Sequence, residues 1–461
     1  MSTSTAVRSE AQHARVTRGE QLVEFIAGTS ERSHPPEVIE AALRALVDHL
    51  GCAVGGSNDA PARPVRGVVK RWNAPGNARI YMGGRTTAAL AAFANGTMAH
   101  AMDYDDTAPG GAGHPSGPCW STALALAQES GRSEKETLAA FITGFEVMSK
   151  LGGGWVTGVG RNLQRRGWHP TSVFGRTGAA AVACALLELD SERIANALGV
   201  AATTAGGLVG SFGTHGKPFH SGKAAMDGIL SAQLAAEGFV AATHLYEIEK
   251  GILDVLIQDR QVEPPLLDFE TKWEILENNF KAFASCRATH SSIQAARTLA
   301  QQVKGRKIAK VHAKVHPNAL VTAGKTSPRT PLEGKFSVPF CIALGLRGYR
   351  AVWSDFTEAA LKDRSVMEVV PVVQLEGVQG QPPHQAYLDV TLENGERLQA
   401  RTEIVIGHPD NPMSWDALRE KFEGLVEPVL GKEKTATLYA LGRNFLEPGS
   451  IGKIADLLAV E

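Results

Sequence analysis

The stretch "TTAALAAFANGTMAHAMD" (residues 86–103) decides how the chain folds. Alanine and other apolar residues occupy every face of its helical wheel, so no solvent-facing stripe can be drawn. A helix of that kind is buried among other helices, where small side chains let backbones approach closely. The theme repeats in "PPEVIEAALRALVDHLGCAVGG" (35–56), "SEKETLAAFITGFEVMSKLG" (133–152), "TGAAAVACALLELD" (177–190) and "SGKAAMDGILSAQLAAEGF" (221–239). Prolines open and glycines close the first of these, the ordinary punctuation of helix ends. The first 265 residues therefore predict a large all-helical domain.

The pattern changes after about residue 305. "RKIAKVHAKVHP" (306–317) alternates apolar and polar residues, as a half-buried strand does. "QAYLDVTLENGERLQARTEIV" (385–405) is two alternating runs joined by Asn394-Gly395, a strong hairpin signal. Segments 336–347 and 353–363 between them read as helices, and helix returns from Trp415 onward. The expectation is a mainly α protein in which a discontinuous helical domain (18–279 and 409–461) carries a smaller α+β domain (280–408). Residues 1–17 read as a polar tail.

Composition narrows the function classes. The chain has 461 residues, 47 basic and 48 acidic, with a formal net charge of −1. Neither nucleic acid nor a membrane surface is an expected partner of so balanced a charge. No run approaches eighteen apolar residues, and the first twenty lack the apolar centre of a signal peptide. Five scattered cysteines (Cys52, Cys119, Cys184, Cys286, Cys341) form no CxxC pair, which suits a reducing cytoplasm. Walker, dinucleotide-binding, GxSxG and HExxH signatures are not found.

Polar residues gather instead in four glycine-rich breaks. "MAHAMDYDDTAPGGAGHP" (98–115) holds Asp103, Asp105, Asp106, His100 and His114. "GWHPTSVFG" (167–175) places His169 before a proline, which favours an extended conformation there. "GSFGTHGKPFHSGKAA" (210–225) carries His215, Lys217, His220 and Lys223, and "FKAFASCRATH" (280–290) carries Lys281, Cys286, Arg287 and His290. Each break has a bland reading: helix caps for the aspartates, a turn for His169, a solvated basic edge for 215–223, a small core residue for Cys286. A metal held by Asp103, Asp105, Asp106 and His114 is another. Taken together, the lysines, histidines and arginine can hold a small polycarboxylate, and histidine, cysteine, aspartate or a desolvated lysine such as Lys217 can move protons.

These breaks resemble the landmarks of the MmgE/PrpD family, which includes 2-methylcitrate dehydratases, cis-aconitate decarboxylases and iminodisuccinate epimerase. "AHAMDYDDT", "GHPSG", "GWHPTSVFG", "GTHGKPFHSGKAA" and "FASCRATH" carry the resemblance, which extends from about residue 18 to 455. It implies a helical domain with a lid-like α+β domain, a homodimer, and an interfacial site without metal or organic cofactor. Motif by motif, the family's site falls on Asp103, Thr107, His114, His169, Lys217, Lys281 and Cys286. Lys217, His169, Cys286 and Asp103 are the expected catalytic groups. Thr107, His114, His220, Lys281 and Arg287 are the expected substrate contacts, while Asp105 and Asp106 cap and brace the loop.

Cys286 discriminates within the family, where dehydratases tend to carry glutamate, decarboxylases histidine and the epimerase cysteine. The cysteine and the loop length before "GHP" put epimerisation of an iminodisuccinate-like acid first. Dehydration of the 2-methylcitrate type follows, then cis-aconitate-type decarboxylation, with a non-catalytic dicarboxylate-binding dimer as the rival of another class. Ala284, where the family usually has proline, and the Gly-rich "APGGAG" (108–113) are departures from the pattern.

Overall fold

The computed structural model describes residues 16–108, 113–153, 159–247, 249–258 and 267–459. Most of the expected N-terminal tail and the middle of "APGGAG" therefore lie outside the described residues. The protein is mainly α, with two small sheets among the described residues.

The opening stretch forms the helix Ala88–His100, buried over almost its whole length. It packs against Gly216–Ala236, Ser116–Ser130 and Pro36–Gly56. Glycine is what allows the closest of these approaches. A Cβ on Gly222 would stand 2.1 Å from the Phe93 carbonyl oxygen, so the two backbones touch only because the side chain is missing. The helix stops at His100, three residues short of the expected end, because Asp103 turns left-handed with φ of 53°. That conformation is uncommon for a residue with a side chain, and aspartate tolerates it better than most.

Helix Pro170–Leu186 starts seven residues before the expected 177. Proline suits the first helical position, where no backbone N–H is needed. His169 becomes the extended N-cap residue (φ −90°, ψ 107°), and its own N–H bonds the Gly207 carbonyl at 2.9 Å. Glu134–Gly152 begins with a reciprocal Ser133–Glu136 capping box and ends on left-handed Gly153.

The second sheet runs in the order 373–377, 308–315, 386–392, 397–402. Asn394-Gly395 turns the hairpin, with Gly395 at φ 84° and Ala386 to Leu392 alternating between buried and half-buried. Strand Val373–Gly377, parallel to Ile308–Val315, was not foreseen, nor was the two-residue pairing of Ala78–Arg79 with Arg85–Thr86. Segment 336–347 forms Val338–Leu346, whereas 353–363 breaks into a 3-10 turn and the short helix Glu358–Lys362. The helix Trp415–Leu430 packs on Pro36–Gly56, where Lys421 Nζ meets Asp48 Oδ1 at 2.6 Å and the Tyr104 carbonyl at 2.7 Å. Among the described residues no helix is long and apolar enough to cross a membrane.

Candidate active site

Two chain ties bring the first and fourth polar breaks together, and a third holds the fourth against Gly407. Thr107 and Asn279 exchange backbone hydrogen bonds (2.8 and 2.9 Å), Tyr104 Oη donates to the Ala282 carbonyl (3.0 Å), and Phe280 N donates to the Gly407 carbonyl (3.1 Å). Lys281 is thereby delivered to Asp103. Its Nζ donates to the Asp103 carbonyl at 2.8 Å and to Oδ1 at 2.7 Å. Lys217, from the first turn of Gly216–Ala236, donates to the same Oδ1 at 2.7 Å. All three side chains are buried. Burial pushes the Asp103 carboxyl up, but Lys217 and Lys281 outweigh it and hold the group well below the usual carboxylate range.

Above this triad lie the imidazoles. His114 Nε2 is 3.9 Å from Asp103 Oδ1, and its Nδ1 faces Asp105 Oδ2 at 3.4 Å. His100 donates from Nδ1 to Asp105, 2.9 Å from each oxygen. Asp105 thus serves two histidines, which corrects the expectation that it merely caps a helix. Asp106 does brace the loop, accepting from Ser116 Oγ (2.5 Å) and Asn278 Nδ2 (2.6 Å). His169 Nδ1 meets His220 Nδ1 at 2.9 Å, and its ring stands edge-on to Phe212, centroids 4.9 Å apart. Burial holds His169 well below its ordinary value and His220 at about 4, while His114 is also lowered by burial, so all three rings are neutral near pH 7. Burial, followed by the Asp103 charge, raises the Cys286 thiol, which therefore keeps its proton.

Eight of the nine residues named from the sequence line a single cavity of about 430 Å³. The ninth, His220, stands behind His169 and fixes its ring, so its placement is corrected from substrate contact to support. Lys223 pairs with Asp227, which also binds Arg176, and His215 is exposed. The direct partner of Lys217 is a carboxylate, Asp103.

The sequence reading missed several residues here. His100 was noted but given no role. Lys335 is buried and donates to the Met102 carbonyl at 2.8 Å, and burial lowers it to about 8. His384 and His408 reach the cavity from loops of the sheet region. A lone lysine before "FSVPF" and isolated loop histidines give no signal in one sequence.

Donor atoms of His100, Asp103, Asp105 and His114 lie within 4.8 Å of one another, a spacing that can hold a metal ion. The residues do not fit that use. Asp103 Oδ1 already carries two lysine amino groups, which neutralise it and would repel a cation, and both Asp105 oxygens accept from His100. What the arrangement offers is a cation pair for a carboxylate, neutral imidazoles to accept a proton and a thiol to donate one.

Comparison with known proteins agrees with this layout. Residues 20–265 match the MmgE/PrpD N-terminal domain and residues 283–444 the MmgE/PrpD C-terminal domain. The chain is 27% identical to a cis-aconitate decarboxylase of Homo sapiens over 384 residues, covering 80% of this chain and 79% of the relative. It is 26% identical to that of Mus musculus (87% and 85% covered) and 25% identical to that of Aspergillus terreus (70% of each). With both domain families matched in order across most of its length, the chain belongs to the MmgE/PrpD family.

Proposed function

We propose that the protein is a cofactor-independent lyase that moves a proton at carbon next to a carboxylate of a small di- or tricarboxylate, with decarboxylation of the cis-aconitate type as its reaction. The observation that carries the reading is the convergence of Lys217 and Lys281 on Asp103 beside His114, His169 and Cys286 in one cavity. The choice of decarboxylation rests on the names of the relatives. It replaces the epimerase preference read from Cys286.

In this reading Lys217 gathers a substrate carboxylate, while Asp103 holds both lysines in place. The C–C bond to the departing carboxylate breaks and CO2 leaves. The electron pair passes into the adjoining double-bond system, and the carbon that gains electron density takes a proton. The Cys286 thiol, kept protonated, is the donor and is recharged from solvent. Neutral His114 and His169 are poised as acceptors for the opposite transfer.

Cys286 also supports a second reading. A thiol and a base lining one cavity are the two groups that epimerisation needs, one for each side of the carbon. Proton NMR in D2O with cis-aconitate, 2-methylcitrate and iminodisuccinate separates the cases. Loss of CO2 from cis-aconitate with deuterium in the product supports the proposal. Water loss from 2-methylcitrate would make the protein a hydro-lyase, and α-exchange of iminodisuccinate without net loss an epimerase. Inertness toward all three would remove the reading.

A further inference from the structure

The chemistry above leaves part of the cavity lining unexplained. Arg287 reaches the cavity from the turn Arg287–Thr289. Its guanidinium donates through Nη2 to Asn279 Oδ1 at 2.9 Å and through Nη1 to His290 Nδ1 at 3.2 Å. Both partners are uncharged, the amide by nature and His290 because burial, then Arg287, holds it well below its ordinary value. Among the described residues no carboxylate pairs with Arg287, and burial lowers it to about 10. A half-buried guanidinium with spare donors and no counter-charge is a ready partner for an anion.

Two imidazoles stand beside it. His384 and His408 line the same cavity, with ring centroids 4.8 Å apart. Burial and the nearby Arg287 keep both below the ordinary histidine value, with His384 acting on His408 as well. His408 Nδ1 accepts from the Asp410 backbone N–H at 3.1 Å, so its proton sits on Nε2, as a donor. The acidic groups near the pair are Asp410, whose carboxylate is 3.5 Å from His408 Nδ1, and Glu403.

The His408 loop is built in place. Gly407 is left-handed (φ 86°), and a Cβ there would stand 1.9 Å from the Phe280 carbonyl oxygen. Glycine thus clamps the loop one residue away from Lys281.

We propose that Arg287, His384 and His408 form a second anion subsite, which takes the far carboxylate of the substrate while the reacting carboxylate lies at Lys217. The substrate's carbon chain would lie against the apolar lining that Ala288, Val315, Ala319 and Phe336 give the same cavity. This inference rests on the proposed function for the position of the reacting end.

Calorimetric titration with unreactive probes tests it. Glutarate or adipate is expected to bind wild-type protein at least about tenfold tighter than valerate. In Arg287→Gln, and separately in the double variant His384→Gln/His408→Gln, that advantage should fall below about threefold with valerate affinity unchanged. Equal affinities in the wild type would overturn the proposal. So would an advantage that survives in both variants, or a parallel loss for both probes. If the proposed reaction fails, NMR shows no turnover while this binding preference persists, so the two failures are distinguishable.

Discussion

Lys281 donates to both the carbonyl oxygen and Oδ1 of Asp103, and this double contact locks a left-handed aspartate against the segment that carries Cys286. Lys217 completes the arrangement from a third segment. The one buried carboxylate keeps the two lysine charges tolerable, and removing it leaves them facing each other.

Asp103→Asn is therefore expected to lower unfolding stability by about 3–5 kcal/mol, the scale of breaking a buried ion pair. Denaturant unfolding checks this, and a loss below about 1 kcal/mol would contradict it. Lys217→Ala leaves Asp103 paired with Lys281, so it should stay folded. Its kcat/KM should still fall about 10²–10⁴-fold, the usual scale for a positioned acid–base group.

Cys286 should behave as a thiol and not a thiolate. Because burial raises its pKa, alkylation by iodoacetamide at pH 7 should be slower than that of a free cysteine, and its rate should level off at a higher pH than a free cysteine's does. Cys286→Ser, a weaker acid, should lower kcat with little change in KM. Rapid labelling at neutral pH would contradict the proton-donor role.

Acid should destabilise the fold between pH 6.5 and about 4. Burial holds His49 at about 3 and His100 and His220 at about 4, each below the 6.5 of the unfolded chain. Through that window the unfolded state binds more protons, so stability falls as pH falls. Asp48, Asp106 and Glu146, raised by burial, act in the opposite direction but are fewer than the lowered histidines. Melting temperatures from pH 7.5 to 4 should decline steadily. His49→Leu, which removes a buried ring with no hydrogen-bond partner, should flatten the decline.

Chelation should leave turnover unchanged, because Lys217 and Lys281 supply the positive charge at Asp103. Activity lost to EDTA and restored by Mg²⁺, Mn²⁺ or Zn²⁺ would contradict that account.

The features legible in the sequence were local ones. Pro170 made His169 extended, Asn394-Gly395 made a hairpin, and the alanine-rich wheel of 86–103 made a buried helix. What escaped depended on a left-handed turn or on partners far along the chain. Asp105 read as a cap because nothing in the sequence shows that His100 folds back onto it across the left-handed turn. Lys335, His384 and His408 lie far along the chain, and only the tertiary ties at Asn279, Phe280 and Gly407 bring that region to the cavity. The sequence does not show the anion that Lys217 meets, because Asp103 lies more than a hundred residues away.

The most direct test of the central claim is a crystal structure with bound tricarballylate, an unreactive tricarboxylate. The account predicts one carboxylate within hydrogen-bond distance of Lys217 and the adjoining carbon between Cys286 and the imidazoles of His114 and His169. An anion bound away from Lys217, with Cys286 and both histidines out of reach of its carbon chain, would contradict it.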